Sequence, residues 1–316
     1  MKVALPGGSG QIGAILAREF QKDGHEVVVL SRKPYDAPWP VVVWDAETIG
    51  DWAGQIDGAD VVVNLAGRSV NCRYNTLNRE LMIASRVNST RIVGEAINRA
   101  SRPPKLWLQS SSATIYSHRY DAPNDDVTGI IGGEEPNLPD TWRFSYDVAF
   151  EWEQAVDEAD VPSTRKVKLR SAMVMSPDKA GVFDVLLGLV RHGLGGTQGR
   201  GNQYVSWIHH QDFIRAIFHI IEHDTLDGAV NLSSPNPLPN ADFMRILREA
   251  SGTKFGLPAT DWMLEIGALA LQTETELILK SRRVTPTRLL QNGFTFEFPE
   301  WKEAADDLCR EWLKNR

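Results

Sequence analysis

Gly7-Gly8-Ser9-Gly10-Gln11-Ile12-Gly13 stands directly after a short apolar run, Lys2–Leu5, and directly before a stretch of helical period, Ile12–Asp23. Each glycine has a separate physical task. Gly7 permits a tight turn, Gly10 lets the backbone approach a pyrophosphate, and Gly13 lets a helix pack closely on a strand. Gln11 and Ile12 open that helix, whose free N–H groups and positive dipole end favour the same anion. Glycines alone would be a weak signal, because turns use them freely. A strand before and a helix after supply the context that a dinucleotide-binding turn requires.

Outward from this turn, Glu26–Leu30, Val41–Trp44, Asp60–Leu65 and Leu106–Gln109 read as further strands, and Val167–Leu169 as a sixth. Their valine-rich runs lack polar alternation, as expected where both faces of a parallel sheet are covered. Helical stretches such as Asn78–Ala100 lie between them. The succession predicts an α/β fold, a Rossmann-type doubly wound parallel sheet with right-handed crossovers. A smaller, mostly helical C-terminal substrate domain should complete it. The expected division gives residues 1–165 to the dinucleotide-binding domain, with contributions from 166–176 and 205–232, and residues 177–204 and 233–316 to the second. Pro235, Pro237 and Pro239 mark the crossing, and Trp301–Leu313 reads as a terminal helix. The glycine-rich stretch Gly193–Gly201 reads equally as a surface loop or a mobile substrate lid. Asp212 is read as the cap of a helix that runs to Glu222.

Composition narrows the function. Among 316 residues, 42% are hydrophobic and 24% charged, the balance of a globular protein. A net charge of −7 gives no long-range attraction for nucleic acid or an anionic membrane, so an anionic ligand needs local donors. The two cysteines, Cys72 and Cys309, form neither a disulfide framework nor a zinc motif, and no metal is expected. Without a signal sequence or a long apolar span, the expected location is the cytoplasm.

The end of the second strand selects the cofactor. NAD readers usually place an acidic residue about 20 residues after the glycines to bind the ribose 2′-hydroxyl. Ser31-Arg32-Lys33 stands there instead. A carboxylate would repel a 2′-phosphate, whereas Arg32 can grip it through a planar fork, with Ser31 beside it. The alternative for Arg32 is a solvated loop cation. NADP(H) is the expected cofactor. Asp45, after the third strand, is placed to accept from the adenine amino group or, equally, to cap the next turn.

These residues, with Asn64-Leu65-Ala66-Gly67 and Ser110-Ser111-Ser112-Ala113-Thr114-Ile115-Tyr116, resemble the extended short-chain dehydrogenase/reductase superfamily of epimerases and dehydratases. The resemblance implies that Ala66 and Gly67 line the cofactor and that Ser112 bonds a substrate hydroxyl or carbonyl. A narrower likeness spans nearly the whole chain. Ser85-Arg86-Val87, Trp152-Glu153, Trp207-Ile208-His209, Asn231-Leu232, Glu276-Leu277-Ile278-Leu279, Arg283-Val284-Thr285-Pro286 and the run Leu289–Phe294 resemble the "epimerase family" branch that ends in a domain of unknown function.

The sequence departs from the superfamily at its catalytic pair, Tyr-x-x-x-Lys. Tyr146 lies a suitable 34 residues after Ser112, but Phe150 follows where lysine belongs. Keeping Glu153 in register moves the frame to Ser145 and Ala149, again without lysine. An unassisted phenol titrates near ~10, so Tyr146 is a catalytic candidate with a helix-face aromatic as its alternative. Val205 occupies the place where sugar-nucleotide enzymes carry a diphosphate-binding arginine. Tyr116, Trp207 and His209 complete the expected substrate pocket, Trp207 being equally a core tryptophan and His209 a packed histidine. The sequence thus predicts an NADP(H)-dependent oxidoreductase for a small carbonyl or hydroxyl compound, as monomer or homodimer. A nucleotide-sugar epimerase or dehydratase is one alternative, and an NADPH-binding sensor without turnover is another.

Overall fold

The computed structural model describes residues 1–270 and 272–315. Its centre is a seven-stranded, all-parallel sheet in the order β10-β6-β5-β4-β1-β2-β3. The first half of the chain supplies β1 (Lys2–Pro6), α1 (Gln11–Lys22), β2 (Glu26–Ser31), β3 (Val41–Val43), β4 (Val61–Asn64), α2 (Thr76–Arg99), β5 (Leu106–Ser112), α3 (Asp140–Asp157) and β6 (Arg165–Ser171). Then follow β7 (Met173–Met175), α4 (Val182–Arg191), β8 (Tyr204–Val205), β9 (Trp207–His209), α5 (His210–Glu222) and β10 (Gly228–Leu232). The remainder is β11 (Leu238–Pro239), α6 (Asn240–Ala250), α7 (Asp261–Ala270), α8 (Glu276–Leu279), α9 (Thr287–Gln291) and α10 (Trp301–Lys314).

Strand alternation distributes the core. Val3 and Leu5 of β1 join Val27, Val29, Val61 and Val63 beneath Leu16 and Phe20 of α1 and Phe213, Ile217 and Ile220 of α5. Ala4, Val28, Leu30, Val62 and Trp107 face the other way, onto Ile92, Val93, Ala96 and Ile97 of α2. Period-2 alternation with both faces buried is the pattern of a covered parallel sheet. A third core gathers Phe183 and Leu187 of α4, Phe243 and Leu247 of α6, and Trp301, Leu308 and Trp312 of α10.

The chain runs from β1 outward through β2 and β3, then returns to place β4 on the opposite side of β1. That reversal opens a crevice at the carboxyl ends of β1 and β4, where open α/β sheets bind ligands. Among the described residues no helix is long and apolar enough to cross a membrane.

Two expectations change. The stretch Gly193–Gly201 is no free lid. Gly196 N–H donates to Leu257 O at 3.1 Å, Gly199 N–H to Ala259 O at 2.8 Å, and Ala259 N–H to Thr197 O at 2.9 Å. Gly195, Gly196 and Gln198 are buried in that pairing. Asp212 does not cap α5, because His209 does, accepting from Gln211 N–H. Asp212 instead accepts from the N–H groups of Glu297 and Phe298, both at 2.8 Å, and pins the approach to α10.

Candidate functional site

At the crevice the glycine turn is held by close approach. Gly7 has φ +73°, and a Cβ there would stand 2.4 Å from Ala66 Cα, so the turn after β1 touches the loop after β4. A Cβ on Gly13 would stand 2.2 Å from Gly8 O, which fixes the helix against its own turn. Gly10 differs: nothing lies within 4 Å of where its Cβ would be. It is also the N-cap of α1, with no side chain bonded to the free N–H groups. Open space over unsatisfied donors suits a pyrophosphate. Gln11 turns aside to Ser176 Oγ, 3.1 Å away, and Ile12 is half-buried against the sheet core.

The rim beside this turn carries the residues expected to select the cofactor. Ser31 is buried at the end of β2, its Oγ accepting from Lys33 N–H at 3.4 Å. Arg32 is exposed, and no hydrogen bond or ion pair engages it among the described residues. Asp45 accepts from the N–H groups of Glu47 and Thr48, each at 2.9 Å, and from the Thr48 hydroxyl. Those bonds hold its carboxyl down to about 2, so its carboxylate works as a turn cap. Across the crevice Ala66 is buried and Gly67 exposed, with Asn64 Oδ1 accepting from Ala66 N–H at 3.1 Å. The buried Arg86 guanidinium backs Gly67, and its Nε has no hydrogen-bond partner among the described residues. Desolvation lowers that guanidinium to about 10.

Ser112 ends β5 on the same side of the sheet, half-buried, and its Oγ accepts from Thr114 N–H at 3.2 Å. The hydroxyl proton remains available for a ligand oxygen. Tyr146 behaves otherwise. Its hydroxyl donates to Glu135 Oε1 at 2.8 Å and accepts from His118 N–H at 3.1 Å. Burial and the Glu135 carboxylate push the phenol well above its ordinary range. Tyr146 is therefore a poor proton-transfer group at neutral pH, and its hydroxyl ties down the 118–135 loop.

The neighbouring frame is the informative one. Ser145 faces Thr114, and between them sits the amine of Lys280, from the C-terminal segment. Arg282 joins from the same segment: its guanidinium lies 3.2 Å from Thr114 Oγ1 and 2.6 Å from Glu276 Oε1. Sequence reasoning missed Lys280, Arg282 and Glu276 as site residues, because each lies more than 160 positions from Thr114.

Three expected pocket residues do not join this site. Tyr116 is 2% exposed, bonded to Asn231 Oδ1 and Arg170 Nη1, both at 2.9 Å. Arg170 in turn grips Glu153, which accepts from Ser111 Oγ at 2.6 Å, so Tyr116 and Glu153 belong to a structural network between β5, β6 and α3. Trp207 is fully buried against Trp301 in the third core. His209 is fully buried, stacked 3.9 Å from Phe298, and burial holds its imidazole down to about 2.

Residues 3–233 match the NAD dependent epimerase/dehydratase family, and residues 259–308 match a domain of unknown function. The chain belongs to the epimerase/dehydratase family. It is 30% identical over 313 residues to human epimerase family protein SDR39U1, covering 98% of this chain and 99% of that one. The crystal structure of the human protein (isoform 2) with NADPH superimposes with a TM-score of 0.84 at 28% identity, over 98% of this chain and 99% of that one. An epimerase family protein of Staphylococcus epidermidis is 28% identical over 310 residues, 97% of this chain and 98% of that one. The structure of a nucleoside-diphosphate sugar epimerase from Corynebacterium glutamicum matches with a TM-score of 0.75 at 26% identity, over 98% of this chain and 58% of that one. As an epimerase/dehydratase family member with the added C-terminal domain, the chain has the architecture its two motif sets imply.

Proposed function

We propose that the protein is an NADP(H)-dependent oxidoreductase of the extended short-chain dehydrogenase/reductase type, acting on a small compound that carries a carbonyl or hydroxyl group. The observation that carries this reading is Arg32, exposed and unengaged among the described residues, beside a glycine turn whose Gly10 faces open space. The NADPH bound by the human relative supports the same choice. NADP, when bound, supplies the hydride acceptor or donor. Gly7, Gly10 and Gly13, with the N–H groups of Gln11 and Ile12, hold the pyrophosphate. Arg32 and Ser31 take the 2′-phosphate. Ala66 and Gly67 line the cofactor, and Ser112 donates to the substrate oxygen as charge develops there.

A nucleotide-sugar substrate draws on the name of the Corynebacterium relative. Against it, Val205 is buried at the position where a diphosphate-binding arginine would stand. The experiment is NADPH consumption with aldehydes, ketones and quinones, run beside isomer analysis of nucleoside-diphosphate sugars. Turnover with a small carbonyl compound is expected. Isomerisation of a sugar nucleotide would replace the reading with an epimerase. Tight NADPH binding without consumption by any member of the panel would replace it with an NADPH sensor.

A further inference from the structure

The lysine of Tyr-x-x-x-Lys is absent from α3, and Ala149, one turn beyond Ser145, is buried and inert. An amine nevertheless reaches this region. The Lys280 side chain has no exposure. Its Nζ donates to Thr114 O at 2.8 Å, and lies 3.2 Å from Thr114 Oγ1 and 3.1 Å from Ser145 Oγ. It also rests 3.3 Å from the centre of the Tyr146 ring.

The charged and titratable groups around it are Glu276 and Arg282 on its own segment, Glu135 and His118 on the loop between β5 and α3, and Tyr146 on α3. Neither carboxylate forms a hydrogen bond with the amine. Glu276 Oε1 lies 3.9 Å away and is engaged by Arg282, while Glu135 accepts from Tyr146 Oη and from the N–H groups of Gly133 and His118. The hydrogen bonds of the amine go to uncharged oxygens, and the Tyr146 ring together with Glu276, 3.9 Å away and already engaged by Arg282, offsets its lost hydration only in part. Burial first, and the Arg282 cation second, bring the Lys280 amine down to about 6. A group poised there can both take and return a proton near neutral pH.

We propose that Lys280 is the proton reservoir of the reaction, joined to the Ser112 side of the cleft by the Thr114 hydroxyl. This rests on the oxidoreductase reading above. In the oxidising direction the substrate C–H bond breaks and its electron pair leaves as hydride to NADP+. The Thr114 hydroxyl, which donates to Glu276 Oε1 at 3.4 Å and accepts from Lys280 and Arg282 at 3.2 Å, turns its proton to the lone pair of the neutral Lys280 amine as Oγ1 takes the substrate hydroxyl proton. The products are a carbonyl compound, NADPH and a lysine ammonium, and reduction runs the same steps backwards. Lys280 touches neither substrate nor cofactor in this scheme. It is a positioning residue acting through Thr114, brought by the C-terminal segment to a site made by the sheet.

The test is an NMR titration of lysine side-chain nitrogens in the full chain, saturated once with NADP+ and once with NADPH. The Lys280 signal is assigned by its loss in Lys280→Arg, or in Lys280→Met should the arginine variant fail to fold. Cofactor fluorescence reports saturation. The expected result is deprotonation with a midpoint below pH 8, lower by roughly half a unit or more with the positively charged oxidised nicotinamide than with the reduced one. A midpoint indifferent to the redox state of the cofactor, or an amine still charged at pH 9, would overturn the reservoir and leave the oxidoreductase reading standing. Failure to bind NADPH at all would overturn both.

Discussion

At the glycine turn the groups that would meet a ligand are left unpaired among the described residues: Gly10 faces open space, the first turn of α1 has no side-chain cap, and Arg32 has no partner. Beyond the carboxyl end of β5 the polar groups are already paired. Thr114 and Ser145 bond Glu276, Lys280 and Arg282 across separations of 135 residues or more. One region is prepared for an anion that must arrive from solution, and its recognition is settled over a few successive residues. The other is preorganised by long-range packing, which suits a site whose groups must not move while charge shifts.

The comparison breaks most visibly at the glycines. Gly13→Val should destabilise the fold by about 3 kcal/mol or more, because its Cβ would stand 2.2 Å from backbone. Gly10→Val should leave the melting temperature nearly unchanged and abolish binding of NADPH and NADH alike. Thermal melts and fluorescence titrations of the two variants decide the matter. Equal loss of stability in both would mean that the space over Gly10 is not the cofactor's.

Ser112 and Tyr146 sharpen the second region. Ser112→Ala should slow single-turnover hydride transfer by about 10²–10³, the usual effect of losing one oriented donor. Tyr146→Phe should cost stability of about 1–3 kcal/mol, by removing the hydroxyl that donates to Glu135 and accepts from His118 N–H, with much less effect on rate. A larger rate loss in Tyr146→Phe would restore the tyrosine as the acid.

Lys280 makes a stability prediction of definite sign. Its folded-state value, about 6, lies below the ordinary 10.5 of a lysine, so between those values the unfolded chain binds the extra proton. The stability of the parent relative to Lys280→Met should therefore rise with pH across that window, by up to ~1.4 kcal/mol per unit. Denaturant melts at pH 7 and pH 9 check the slope. A flat difference would mean that the amine stays charged when folded.

The legible part of the molecule was the part encoded locally. The strands β1, β2 and β4 are short apolar runs, valine-rich in β2 and β4, and the Gly7, Gly10 and Gly13 spacing carries its own steric logic, so the parallel sheet and the crevice followed from pattern. β5 runs three residues past the expected end at Gln109, because Ser110-Ser111-Ser112 pairs with β6 although nothing in those polar side chains marks a strand. Trp207 and His209 looked like pocket residues by position, and turned inward because α10, far along the chain, brings Trp301 while the segment before it brings Phe298. The absent lysine of α3 was equally legible, whereas the buried amine of Lys280 was not. No local spacing connects Lys280 to Ser145, and only the folded C-terminal segment does so.

The central claim, that Arg32 beside the open glycine turn reads a 2′-phosphate, is tested most directly by titrating NADPH and NADH against the parent chain and Arg32→Ala. The account predicts that the parent binds NADPH at least ten-fold tighter, a difference of about 1.4 kcal/mol, and that the variant loses most of this preference with its NADH affinity little changed. Equal affinities of the parent chain for the two cofactors would contradict it.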